Sequence, residues 1–384
     1  MPNRSEPPGD PLAAALDRMI DGGLGAAEDV ARARGYAQRV VNRLLPLATS
    51  QRRFVLANVP EPMLRAVSYR LRDEARARRH TELHETLRLA ELAVGAAERM
   101  AERGGTVLGE ALAERGNTLR ILGDLTGAEE DFAKAERLLD EHGGDPLAEA
   151  ELLSMRASLA RDRRQFAEAI DLADESCSLY AFYGQVSGAL SSLIQLGTLH
   201  GYAGSPEEGI DVLGGALELA VDLGDSKDLL HVAHNVAYLF AEAGLAADAA
   251  AVLERARELC DEVGTRQDGL RLDWLAARIQ ADLGHHSVVA IILGDLRADY
   301  TGEGMPFEAA LVSLELALAY ARMGRRVELR HLAEETAETF RLLGVEREAF
   351  GALALLVRAD AEEAAELTAR LAAAVRRARR RGEP

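Results

Sequence analysis

Glycine occupies positions 104, 144, 184, 224, 264, 304 and 344, seven sites at a constant spacing of 40 residues. A second series, Gly204, Gly244, Gly284 and Gly324, keeps that spacing and falls midway between members of the first. Glycine ends helices readily, and a stop every 20 positions leaves room for one helix of roughly 15–18 residues in each half-period. The expected architecture is a stack of helical hairpins. By length alone, 384 residues could hold two or three domains, but the unbroken repeat argues for one elongated body. Aromatics make up 4% of the chain and there is one tryptophan, so Ala and Leu must do most of the packing. Alternating Val/Ile runs are absent, and the fold class expected is all-α.

The turns are written in the sequence. In Gly204-Ser205-Pro206-Glu207-Glu208, glycine can adopt the left-handed conformation, Ser205 can cap the next helix, and Pro206 suits its first position. The alternate turn places an apolar residue before the glycine, as in Leu223-Gly224, Val263-Gly264 and Leu343-Gly344. Small residues keep the same period: Gly116, Ala157, Gly197, Ala237, Ala277 and Ala317 in the first helix, then Ala128, Ala169, Gly209 and Ala249, then Ala135, Ser176, Ala216 and Ala256. They let paired helices approach, with Phe132, Leu213, Leu253 and Leu293 filling the space beside them.

These positions carry a resemblance to the tetratricopeptide repeat (TPR) family, clearest from Asn117 to Ala135 and from Leu196 to Ala216. The period of 40, the arginine at position 164 in place of a turn glycine, and the larger Val289, Leu296 and Leu329 depart from the family pattern. The resemblance implies a right-handed superhelical solenoid of antiparallel helix pairs. Its long period is similar to arrays in bacterial regulators that sense peptides or small ligands and in stand-alone adaptors. The expected organisation is a disordered arm over 1–10, a basic helical cap with a degenerate repeat over 11–104, six hairpins over 105–344, and a capping helix pair with a basic tail over 345–384. Pro46, Pro60 and Pro62 break the early chain before helices near 62–78 and 82–102.

Signatures of chemistry are missing. Ala133 precedes Lys134 and Ser226 precedes Lys227, which excludes a phosphate-binding GxxxxGK[ST] loop. His84-Glu85-Thr86-Leu87-Arg88 ends in arginine where a zinc-protease helix requires its second histidine. The pairs His80/His84, His231/His234 and His285/His286 lack a third ligand at suitable spacing. Cys177 and Cys260 stand two repeats apart, too far to bridge. No enzyme activity, cofactor or metal is expected. The longest apolar run, Val288–Leu293, is far short of the roughly 20 residues needed to cross a bilayer, and no signal peptide is visible, so a cytoplasmic protein is expected.

Net charge is −18, unevenly spread: residues 31–80 carry +9 and the remainder −27. That basic block has three readings, namely a nucleic-acid patch, a dock for an acidic partner, and a solvated helix face that offsets the acidic array from within. The last is favoured, and nucleic acid is not an expected partner. The inner face of the stack is where a partner would bind. Residues three before and one after each small position should face it, with neighbours one turn away. This register selects Asn117, Arg120, Ser158, Arg161, Thr198, His231, His234, Asn235, Tyr238, Arg271, Trp274 and Arg278, with a central aromatic and cationic patch. Trp, Tyr and Arg are the residues that most often anchor interfaces. The expected function is a scaffold or regulatory adaptor that captures a peptide or partner segment in the groove. The alternative is a ligand-responsive sensor controlling a signalling or transcription partner.

Overall fold

In a computed structural model, the described residues are 29–79, 82–100 and 104–342, and all regular structure among them is helical. The arm expected over 1–10, the cap expected over 345–384, and His80 lie outside the described residues. A helix over 29–44 (α1) precedes Thr49–Ala57 (α2), Glu61–Arg78 (α3), Leu83–Glu98 (α4), Gly105–Ile121 (α5) and Leu125–His142 (α6). Then come Pro146–Asp162 (α7), Phe166–Phe182 (α8), Val186–Ala203 (α9), Pro206–Leu223 (α10) and Ser226–Glu242 (α11). Ala246–Val263 (α12), Arg266–Asp282 (α13), His286–Gly302 (α14), Pro306–Arg322 (α15) and Arg326–Leu342 (α16) complete the series. Two compact units result, one reaching Leu122 and including Thr126–Asp145, the other comprising Gly123–Leu125 and the chain from Pro146 onward.

In the second unit each helix packs on the next, and alternate helices also touch, α9 on α11 and α11 on α13. The first helix of each hairpin therefore forms one layer and the second helix the other. Small side chains set the spacing. Ala157, Ala237, Ala169, Ala249, Ala216 and Ala256 have no exposed surface. Helices α9 and α10 approach closely: a Cβ on Gly209 would stand 2.5 Å from the Gly197 carbonyl oxygen.

Most turns close as the sequence implies. Gly204 ends α9 at φ 95°, and Pro206 opens α10. In the repeat where arginine replaces glycine, Arg164 itself takes φ 63°, a conformation that costs a non-glycine residue about 1–2 kcal/mol. One expectation fails: the Ser205 side chain makes no cap bond. Its backbone sits at φ −117°, ψ 63°, outside the extended region from which a cap side chain reaches the next turn. Side-chain caps occur instead at Asp225, which accepts from the Lys227 amide at 2.8 Å, and in a reciprocal Thr265–Asp268 box. There Gly264 is extended (ψ 160°) rather than left-handed.

In the first unit the basic block divides: Arg39, Arg43, Arg53 and Arg65 are exposed, whereas others meet carboxylates within the chain. Arg72 bonds Glu110, and Arg76 and Arg79 each reach Glu114 at 2.7 Å. Glu114 has no exposed surface. Arg52, itself buried, pairs with Glu85. Arg72 and Arg76 lie one turn apart on α3 and Arg79 follows at its C-cap, and carboxylates of α5 lie beneath all three. At Arg72, Arg76 and Arg79 charge joins the end of α3 to α5.

Candidate functional site

A concavity of about 1250 Å³ opens within the second unit. The first helices of its five hairpins, α7, α9, α11, α13 and α15, all contribute to the wall, with α14 closing one side. Of the residues selected by register, Arg161, His234, Tyr238, Arg271, Trp274 and Arg278 line it.

The aromatic and charged groups are held by each other. Trp274 donates its indole N–H to Glu315 Oε2 at 2.9 Å and meets the Tyr300 ring edge-on at 5.9 Å. Arg278 lies 2.7 Å from Glu242 Oε1, with its guanidinium over the Tyr238 ring at 5.6 Å. Tyr238 in turn stands 6.2 Å from Tyr202. Arg161 pairs with Asp162 at 2.8 Å, and Arg271 stands 3.6 Å from Asp268. Burial first, then the Arg271 charge and His231, hold His234 down at about 4, so its imidazole is neutral at neutral pH. Burial, then Tyr202 and Glu242, raises Tyr238 above the ordinary phenol range.

The other selected residues stand elsewhere or serve the framework. Asn117 and Arg120 belong to the first unit, where Arg120 Nε donates to Asn117 Oδ1 at 3.0 Å. Ser158 accepts from Gln195 Nε2 at 3.0 Å, one of three bonds tying α7 to α9. Thr198 donates back to the Gln195 carbonyl at 2.8 Å, and Asn235 to the His231 carbonyl at 2.7 Å, so both point along their own helices. Neither Ser158, Thr198, His231 nor Asn235 lines the concavity.

The expected cationic patch is corrected to a mixed one. Arg161, Arg271, Arg278 and Arg322 share the wall with Asp162, Glu242, Asp282 and Glu315. The register rule stopped one turn short. The fifth residue after each small position gives Asp162, Tyr202, Glu242, Asp282 and Arg322, and all five line the concavity. That series, at spacing 40, was available in the sequence. Glu315 and the α14 residues His286 and Val289 lie off both registers and carry no comparable signal.

Among the described residues there is no group of three or more His, Cys, Asp or Glu placed to hold a metal ion. Cys177 and Cys260 are both free thiols. No helix among the described residues is long and apolar enough to cross a membrane.

The sequence matches no family model and no curated relative. Solved structures do resemble the fold. A Rap protein complexed with competence and sporulation factor superposes with a TM-score of 0.59 at 14% identity, covering 90% of this chain and 99% of that one. Aspartyl phosphate phosphatase F from Bacillus subtilis gives 0.54 at 15% identity, over 90% and 94%. The apo form of the quorum sensor NprR from B. thuringiensis gives 0.52 at 13%, over 91% and 99%. At these identities the likeness shows the fold alone. By fold, then, the chain is a TPR-like array of antiparallel helix hairpins.

Proposed function

We propose that this chain is a non-enzymatic adaptor or sensor that captures a peptide or a segment of a partner protein against the Tyr238–Trp274–Arg278 wall. One observation carries the reading: the chain's single tryptophan, two tyrosines and four arginines converge on a cavity of about 1250 Å³. Ligand sites are concave and combine apolar area with a few placed polar groups, and an aromatic–arginine wall suits extended backbone and carboxylates. The fold neighbours support it, since one was crystallised with competence and sporulation factor and another is named a quorum sensor.

Because Trp274 is the sole tryptophan, its emission reports occupancy directly. Peptides selected from a random displayed library on the full chain should shift that emission and bind the Tyr238→Ala and Arg278→Ala variants at least tenfold more weakly. Trp274→Ala is the poorer variant, because it removes the fluorescent reporter. Selected peptides that bind both variants like the wild type, with tryptophan emission unchanged, overturn the assignment. A peptide-dependent change in solution scattering separates a sensor from a static scaffold. The bridges Arg278–Glu242 and Trp274–Glu315 join α11, α13 and α15 across the cavity, and a ligand that replaced them would alter helix spacing.

A further inference from the structure

Between Val30 and Pro60 there are six arginines and no carboxylate. Two are paired: Arg32 with Asp29, and buried Arg52 with Glu85. Arg39, Arg43 and Arg53 are exposed and have no ion pair or hydrogen bond among the described residues. They differ in this from Arg72, Arg76 and Arg79, which turn inward onto Glu110 and Glu114. Beside them Phe54 is 72% exposed, although its helix neighbour Leu56 is buried.

Phe54 stands between two shallow clefts of about 340 and 320 Å³, both bordered by Arg43, Phe54 and Val55. Leu47 extends one, and Tyr36 with Val40 extends the other beside Arg39. The nearby amides are already engaged: Gln51 Oε1 accepts from the Ala48 amide, and Asn58 donates to the Phe54 carbonyl at 2.7 Å. What is left for a partner is apolar surface and positive charge.

We propose that the α1–α2 surface docks an acidic segment of a partner protein, which sets a bulky apolar side chain in the clefts beside Phe54 and carboxylates on Arg39 and Arg43. Charge complementarity identifies the occupant. A guanidinium fork matches a carboxylate in two parallel bonds, and no carboxylate of this segment competes for it. Nucleic acid fits less well, because phosphate-backbone binding is carried by charge alone, whereas the clefts beside these arginines are largely apolar and side-chain sized. A membrane surface needs a continuous apolar helix face, whereas Phe54 is flanked by Ser50, Gln51, Arg53 and Asn58. The surface lies in the first unit, so this inference stands apart from the peptide site proposed above.

The experiment uses the full chain and a labelled synthetic peptide built from Glu and Leu, followed by fluorescence anisotropy at low and high salt. Controls are a Glu/Ser peptide of equal charge, a DNA duplex, and phosphatidylserine vesicles. The Glu/Leu peptide should bind in a salt-sensitive manner. Measured in an Arg278→Ala background, which weakens the concavity, it should bind at least tenfold more weakly once Phe54→Ser or Arg43→Glu is added. Both altered side chains are exposed, so circular dichroism should show the same helical content. Equal binding of the Glu/Ser peptide, undiminished binding to either variant, or binding only to duplex or vesicles overturns the proposal. So does a concentration-dependent dimer in sedimentation velocity that Phe54→Ser abolishes, because the surface would then serve a second copy.

Discussion

Gly209 and Gly215 lie on the same helix, α10, yet the same substitution should move stability in opposite directions. Gly215 is exposed, and a Cβ there would meet nothing within 4 Å. Gly215→Ala should therefore gain the helix-propensity difference, about 1 kcal/mol. Gly209 is buried, and its Cβ would stand 2.5 Å from the Gly197 carbonyl oxygen and 2.8 Å from Leu239 Cδ1. Overpacking costs about 1–3 kcal/mol, and the upper part of that range applies because a backbone oxygen cannot rotate away. Subtracting the propensity gain leaves Gly209→Ala destabilised by about 2 kcal/mol, a gap of about 3 kcal/mol between the variants. Urea unfolding followed by far-ultraviolet circular dichroism measures this gap. Because repeat arrays can unfold in stages, hydrogen exchange at the α9 and α10 amides localises the loss. If Gly209→Ala proves as stable as Gly215→Ala, α9 and α10 do not approach as closely as described, and small residues do not set the repeat spacing.

Two further outcomes test burial of charge. Glu114→Gln removes the fully buried carboxylate that holds Arg76 and Arg79, and should cost about 3 kcal/mol in urea unfolding; an unchanged midpoint would mean that the pair contributes nothing. His234 stays neutral in the folded chain down to about 4, whereas an unfolded imidazole takes its proton near about 6.5. The unfolded state thus binds more protons between those values, and stability falls as pH drops from 6.5 toward 4, by at most about 3 kcal/mol. His234→Gln should remove that part of the slope between pH 7 and 4.5, and identical slopes in the two proteins would refute a buried neutral imidazole.

The fold was legible because backbone requirements repeat. Gly204, Gly244, Gly284 and Gly324 all have positive φ, and this demand shows at every period whatever the surroundings. Even Arg164, the residue out of pattern, takes the left-handed conformation its position requires. The site was legible only in part. Tyr238, Trp274 and Arg278 follow from helical register, since residues one turn apart share a face. Glu242 and Glu315 pair with residues 36 and 41 positions away, and periodicity does not reveal which charges meet across helices. The basic block is legible only in outline for the same reason: composition shows the positive charge, but only packing shows that Glu114 lies beneath Arg76 and Arg79.

The pairing also constrains what the concavity can select under the proposed function. Each adjacent pair of first helices in the second unit is already bridged: α7 to α9 through Gln195, α9 to α11 through Tyr202 and Tyr238, α11 to α13 through Glu242 and Arg278, and α13 to α15 through Trp274 and Glu315. A ligand carboxylate offered to Arg278 displaces Glu242 and gains only the difference between two similar pairs. Such exchanges contribute little net affinity and much discrimination, because a ligand without the right charge leaves a desolvated group unpaired. Affinity must therefore come from apolar contact with Tyr202, Tyr238 and Trp274, and sequence preference from the order of charges that flank it. A peptide that binds tightly should accordingly carry an apolar anchor between charges of both signs, and neutralising those charges should relax its selectivity more than its affinity.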